Sequence, residues 1–282
     1  MGDMRGQHFV SWDERRDIAH PGDRSETVTF CVEHFINCAK EAIRDHKYFS
    51  VALAGGSTPK EIFQKLSSTP YLGAVDWHRV LLFWGDERNV TPTNLKSNFC
   101  SAMNAGLKSL SIPPHHVFRM QAERDIEENA KAYDATIRKI LQGRPFDLVM
   151  LGMGEDGHTA SLFPKTSALK ETKSWVVANK VPQKRTCRMT LTYPCINYAD
   201  NIVIYVLGSS KSKMVKKVFL EKHNPPFPVD LIGTSHNKAL WVCDTEAGKQ
   251  ILENLKRRTL RNGHKLGDDP DHNLSKNHSK LL

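Results

Sequence analysis

The sequence predicts an α/β fold of three layers (α/β/α), a largely parallel sheet with helices on both faces. Three observations predict it. Short Val/Ile/Leu-rich segments alternate with longer amphipathic ones almost throughout. The chemically unusual residues gather where those short segments end, as ligand-binding residues do in open parallel sheets. A chain of 282 residues with 39% apolar and 25% charged residues can also build a sizeable core without disulfides or metal.

The elements follow in order. A short strand is expected at residues 8–12. Residues 25–46 place Phe30, Cys31, His34, Phe35, Cys38, Ala42 and Ile43 at helical spacing, which predicts a long amphipathic helix. Residues 48–54 read as a strand by their Val/Leu content, and Gly55-Gly56-Ser57-Thr58-Pro59 turns it into a helix over 59–67. In that turn Thr58 is expected as N-cap, Pro59 as the first helical residue and Glu61 as the partner closing a capping box. The unit repeats, with a strand over 79–84 ending in Gly85-Asp86-Glu87-Arg88, a polar loop and a helix over 97–109. A helix over 123–142, a strand over 147–151 and a short helix after His158 come next. Strands at 188–192 and 202–207, a helix over 211–220, a strand over 239–243 and a closing helix over 245–260 complete the pattern. Because the candidate site positions run from 55 to 211, residues 1–260 are assigned to one domain. Residues 261–282, polar and broken by Gly and Pro, read as a basic, disordered tail.

Composition removes several classes of function. No apolar run reaches the roughly 18 to 20 residues of a membrane helix, and the N-terminus lacks the order of a signal peptide, so a cytoplasmic protein without a membrane partner is expected. The six cysteines form no C-x-x-C pair and no zinc spacing; they read as reduced packing residues. His115-His116 lacks ligand partners nearby in sequence, so no metal site is assigned. The net charge of +9 owes much to the last 27 residues, which hold seven Lys/Arg against three Asp. No basic stripe interleaved with aromatics appears, so nucleic acid is not an expected partner, whereas a mildly basic body suits an anionic, phosphorylated substrate.

The richest motif runs from Gly152 to Pro164, at the end of an apolar segment. Its G-x-G-x-x-G spacing resembles a dinucleotide turn, but Pro164 cuts the helix short and no acid for a ribose lies about twenty residues on. What remains is one histidine, His158, among Gly154, Gly157, Glu155 and Asp156, with an ordinary imidazole chemistry suited to base and acid work at neutral pH. Ser161 lies nearby, but no G-x-S-x-G elbow occurs, which disfavours a serine hydrolase. Gly55, Gly56, Ser57 and Thr58 at a helix start offer N–H groups, hydroxyls and the positive end of a dipole, a phosphate cradle without the Walker Lys-Ser/Thr. Asp86 and Arg88 end a strand beside it, where a carboxylate and a guanidinium can act on a ligand. Arg188 and Lys211 are further candidate cations.

Together, Gly55 to Pro59, Asp86-Glu87-Arg88 with Ser97-Asn98 downstream, Gly152 to Pro164, Arg188-x-Thr190 and Lys211 resemble the ordered motif set of the 6-phosphogluconolactonases, over roughly residues 25 to 250. These are similar to the glucosamine-6-phosphate deaminases, but the sequel Thr159-Ala160-Ser161-Leu162-Phe163-Pro164 has the lactonase form. The resemblance implies a Rossmann-like sheet, hydrolysis of a phosphosugar lactone, and no metal or organic cofactor. It implies His158 as general base, Asp86 as a residue placing a substrate hydroxyl, and Gly55, Gly56, Ser57, Thr58, Arg88, Gly157, Arg188 and Lys211 as substrate and phosphate contacts. One departure is visible: where the family tends to a Pro-Pro-Asp-like loop, this chain has Thr91-Pro92-Thr93-Asn94-Leu95-Lys96. The alternatives are a sugar-phosphate deaminase or isomerase, moving a proton through Asp86, and a non-catalytic phosphosugar-binding protein.

Overall fold

In the computed structural model, which describes residues 9–265, the first helix shows how local chemistry sets an element's limits. Helix α1 (Arg24–His46) starts at a true capping box: Asp23 accepts from the Glu26 N–H, and the Glu26 carboxylate accepts from the Asp23 N–H at 2.8 Å. It ends at Lys47 in the left-handed region, φ 78°. Ahead of it, strands β1 (Phe9–Ser11) and β2 (Arg16–Ala19) form a hairpin; β2 is not expected from the sequence, where Asp17 breaks its apolar pattern. Asp13-Glu14-Arg15, which repeats the letters of Asp86-Glu87-Arg88, is that hairpin's turn, away from the strand ends discussed below.

Strand β3 (Phe49–Leu53) leads into α2 (Ser57–Leu66), and here the expected cap fails. Gly56, at φ 108°, is the N-cap and no side chain caps the helix, so it begins two positions early. Thr58 lies inside the first turn, and Glu61 pairs instead with Arg24 at 2.5 Å. Strand β4 (Val80–Trp84) passes through Gly85 into β5 (Asp86–Arg88), then α3 (Asn98–Asn104), shorter than expected, and α4 (Ile126–Leu141). Strand β6 (Leu148–Gly152) follows, but no helix follows His158. Thr159 donates to Gly152 O at 2.8 Å and bridges to Leu162, folding residues 159–162 into a tight turn.

Strand β7 (Val176–Val181) is a second unexpected strand, and β8 (Thr186–Leu191) holds Arg188 in its middle rather than at its start. The chain closes with α5 (Tyr193–Ile196), β9 (Ile202–Val206), α6 (Ser212–Leu220), β10 (Ala239–Cys243) and α7 (Thr245–Lys265). Helix α7 runs past the expected end at 260, and the rest of the predicted tail lies outside the described residues.

The main sheet has the order β1-β2-β10-β9-β6-β3-β4, parallel throughout except at the β1 edge, as the sequence predicts. Trp84, Trp241, Phe35, Phe49, Phe63 and Phe83 are fully buried in its core. A second, antiparallel sheet of order β5-β8-β7 is the departure from that picture. Gly85 joins the two, donating to Leu53 O of the main sheet and accepting from the Leu191 N–H at the end of β8. The cysteines are free thiols, buried except for half-buried Cys187; burial pushes Cys38 and Cys243 up to about 12. Among the described residues no helix is long and apolar enough to cross a membrane.

Candidate active site

The main sheet branches at β3: the chain goes to β4 on one side and later to β6 on the other, and ligands gather at such a switch. A cavity of about 220 Å³ opens there, at the C-terminal ends of β3, β4 and β6. Its walls bring together Gly55, Gly56, Asp86, Arg88, His158, Arg188 and Lys211, which lie far apart in sequence. Ser57 is exposed at the start of α2, Thr58 is buried, and neither forms the cavity wall. Gly157 also lies off the wall. With φ 76° it turns the loop that carries His158, and a Cβ there would meet Phe227 at 2.7 Å.

His158 is aimed by its own loop. Its Nδ1 lies 2.5 Å from Asp156 Oδ1, and because a carboxylate only accepts, the ring proton sits on Nδ1 and leaves Nε2 as the basic atom. Burial works against the Asp156 charge, yet the hydrogen bonds from His158 hold its carboxyl below the usual range. Glu155, the other flanking acid, is exposed. The imidazole stacks on buried Phe163, centroids 4.0 Å apart, with Arg188 6.0 Å from the same ring. A Cβ at Gly154 would sit 2.0 Å from Nδ1, so only glycine fits beside the ring.

The triplet Asp86-Glu87-Arg88 splits by the two-residue period of a strand. Glu87 points away from its neighbours and is buried. Its carboxylate accepts from the Arg88, Asn98 and Phe99 N–H groups and from Ser97 Oγ, fixing the start of α3. Burial nevertheless raises its pKa, since those bonds only partly offset the lost water. Asp86 and Arg88 share the other face with Arg188 and Thr190, their cross-strand partners on β8. Two guanidiniums thus stand directly opposite each other. Such a like-charge pair is destabilising by itself and is suited to an anion placed between. Both Nε atoms are buried with no protein partner. Burial lowers Arg188 from its ordinary range, with Asp86 opposing the shift and Arg88 adding to it. Arg88 Nη1 also donates to Lys96 O at 2.6 Å, which ties down the loop that departs from the family pattern.

Asn98 is the wall residue whose role is hardest to read from sequence. Its amide donates to Asp86 O at 2.9 Å and to Asp86 Oδ1 at 3.0 Å. A Cβ at Gly55 would strike it at 1.9 Å, so the first glycine of the turn makes room for this amide, while Gly56 supplies the positive φ. Lys211 reaches the cavity after a turn in which the Gly208 N–H donates to the Asp244 carboxylate. No group of three or more His, Cys, Asp or Glu is arranged to hold a metal among the described residues.

The chain matches a known family. The family described as glucosamine-6-phosphate isomerases/6-phosphogluconolactonase matches residues 22–241. The chain belongs to this family. A 6-phosphogluconolactonase of Chlamydia trachomatis is 40% identical over 239 residues, covering 85% of this chain and 92% of its relative. One from Chlamydia pneumoniae is 39% identical over 222 residues, covering 78% of this chain and 84% of the other. The solved 6-phosphogluconolactonase of Trypanosoma cruzi superposes with a TM-score of 0.73 at 24% identity, over 86% of this chain and 98% of that one, a likeness of fold.

Proposed function

We propose that this chain hydrolyses 6-phospho-D-glucono-1,5-lactone to 6-phospho-D-gluconate, the second step of the oxidative pentose phosphate pathway. The observation that carries the reading is the Asp156–His158 pair on a cavity whose other wall presents two facing guanidiniums. Names of the relatives supply the substrate, and a phosphorylated lactone suits the charge.

In this mechanism Arg88, Arg188, Lys211 and the N–H groups at the start of α2 hold the phosphate and sugar oxygens, which fixes the carbonyl in place. His158 Nε2 takes a proton from water as the water oxygen bonds to the carbonyl carbon; Asp156 steadies the imidazolium that results. The tetrahedral centre collapses, the bond to the ring oxygen breaks, and that oxygen receives the proton from Nε2. The new carboxylic acid ionises into solvent. Asp86 accepts from a substrate hydroxyl. No covalent nucleophile is needed, because a lactone carbonyl is electrophilic enough for positioned water. We place the reaction in the cytoplasm, where free buried thiols persist, with neither nucleic acid nor membrane as partner.

The test is hydrolysis of freshly made lactone with the spontaneous rate subtracted. Wild type should turn it over, and His158→Ala should lower kcat by about 10²- to 10⁴-fold with binding of 6-phosphogluconate retained. Activity of His158→Ala within a few-fold of wild type removes the histidine from the mechanism. Release of ammonia from glucosamine 6-phosphate would favour the deaminase reading.

A further inference from the structure

Ser161 has no step in the reaction above, yet its hydroxyl, its N–H and its carbonyl are all hydrogen-bonded. It is fully buried. Its hydroxyl donates to Asp86 Oδ2 at 2.6 Å, its N–H donates to Thr190 Oγ1 at 3.1 Å, and its carbonyl accepts from Asn179 Nδ2 at 2.8 Å. Those partners stand on β5, β8 and β7, one on each strand of the small sheet. The hydroxyl proton is committed to a carboxylate, and His158 Nδ1 is committed to Asp156, so the geometry of an activated serine nucleophile is absent here.

Asp86 gives this arrangement its meaning. It shares a face of the small sheet with Arg88 and Arg188, yet among the described residues its carboxylate forms no ion pair within 4 Å with either. Instead Ser161 holds one oxygen and Asn98 the other. We infer that Ser161 is a positioning residue that keeps the Asp86 carboxylate turned away from the paired guanidiniums, so that their charge stays available to an anionic substrate. Without the Ser161 hydroxyl, Asn98 alone holds the carboxylate, and the released Oδ2 can turn onto a guanidinium and neutralise it. The same hydrogen bonds hold the His158 loop against the sheet that carries Asp86 and Arg188.

The inference rests on the lactonase reading, and two measurements keep the two apart. Lactone turnover by wild type tests that reading; calorimetric binding of 6-phosphogluconate tests Ser161 without turnover. Ser161→Ala should weaken 6-phosphogluconate binding and raise KM for lactone about tenfold, with kcat falling less. The discriminating step is a double-mutant cycle with Asp86→Asn, which has no charge to swing. If Ser161 acts through that carboxylate, adding Ser161→Ala to Asp86→Asn changes binding less than twofold. Independent, multiplying losses overturn the inference, as does a Ser161→Ala enzyme that binds and turns over like wild type. Should Ser161→Ala fail to fold, Ser161→Cys keeps the volume, weakens the donor and enters the same cycle.

Discussion

Asp86 and Asp147 are both buried carboxylates beside strands of the main sheet, both accept from a serine hydroxyl, and they lie at opposite edges of it. Asp147 precedes β6 at the N-terminal edge. It accepts from the Ser50 N–H, from Ser50 Oγ and from His46 Nε2, each at 2.7 Å, with Arg144 at 4.0 Å. That network pins the start of β3 and the end of α1 to β6. The hollow beside it is the larger of the two, about 470 Å³ against about 220 Å³. Size therefore points to the wrong edge. What separates the edges is unmatched charge: at the Asp147 edge the carboxylate is met by its own donors, whereas at the Asp86 edge two guanidiniums and an ammonium face a cavity. A buried carboxylate marks a site when the cations around it are left over for something else.

The comparison breaks most visibly at Arg188. Replacing it with methionine should lower kcat/KM for lactone by about 10²- to 10³-fold, the loss expected when one partner of a charge-assisted contact to phosphate is removed. The melting temperature should hold or rise, because a like-charge cross-strand pair is relieved. A fall in melting temperature with activity intact would make the pair structural. The mirror experiment is Asp147→Ala, expected to cost about 2–4 kcal/mol in urea unfolding and to leave kcat/KM within twofold. Lost activity in a folded Asp147→Ala protein would erase the distinction between the edges.

A group at neither edge sharpens the contrast. Burial pushes the His34 imidazole down to about 4, while in the unfolded chain it titrates near its ordinary 6.5. Between those values the unfolded chain binds a proton that the folded one refuses, so stability rises with pH from about 4 to 6.5 and then levels. Because the ring is only half-buried, the gain should be about 1–2 kcal/mol. Urea unfolding of wild type and His34→Gln at both ends of that window measures it. The variant should lose that much of the pH dependence without changing kcat at neutral pH, and an unchanged pH dependence would discard His34 as its source.

The main sheet was legible because its strands are short apolar runs bounded by turn residues, and β3, β4, β6, β9 and β10 all appear within a residue or two of expectation. Of the small sheet only β8 was legible, expected over 188–192 and found at Thr186–Leu191. Strand β5 is three charged residues, β7 mixes Val with Asn and Lys, and neither carries a hydrophobic period. The helix expected after His158 fails because the Thr159 and Ser161 hydroxyls and the Ser161 backbone find partners in strands that local spacing does not reveal. In the site, His158, Asp86 and Arg88 were legible as unusual residues following strands, Arg188 and Lys211 only as weaker candidates opening a strand and a helix, and the structure gathers all five on one cavity. The choice of Asp156 over Glu155, the platform of Phe163 and the amide of Asn98 are matters of distance between segments. Only the steric need at Gly55 and Gly154 left a trace in the letters.

The facing guanidiniums of Arg88 and Arg188 also bear on how a catalytic cycle would end. On the proposed reaction the substrate arrives with one phosphate and leaves with that phosphate plus a new carboxylate. The product therefore satisfies the paired charges at least as well as the substrate does. On that reaction the product should compete with the substrate for the site, so added 6-phosphogluconate is expected to inhibit lactone turnover at concentrations near KM, which initial rates measured with product present would check.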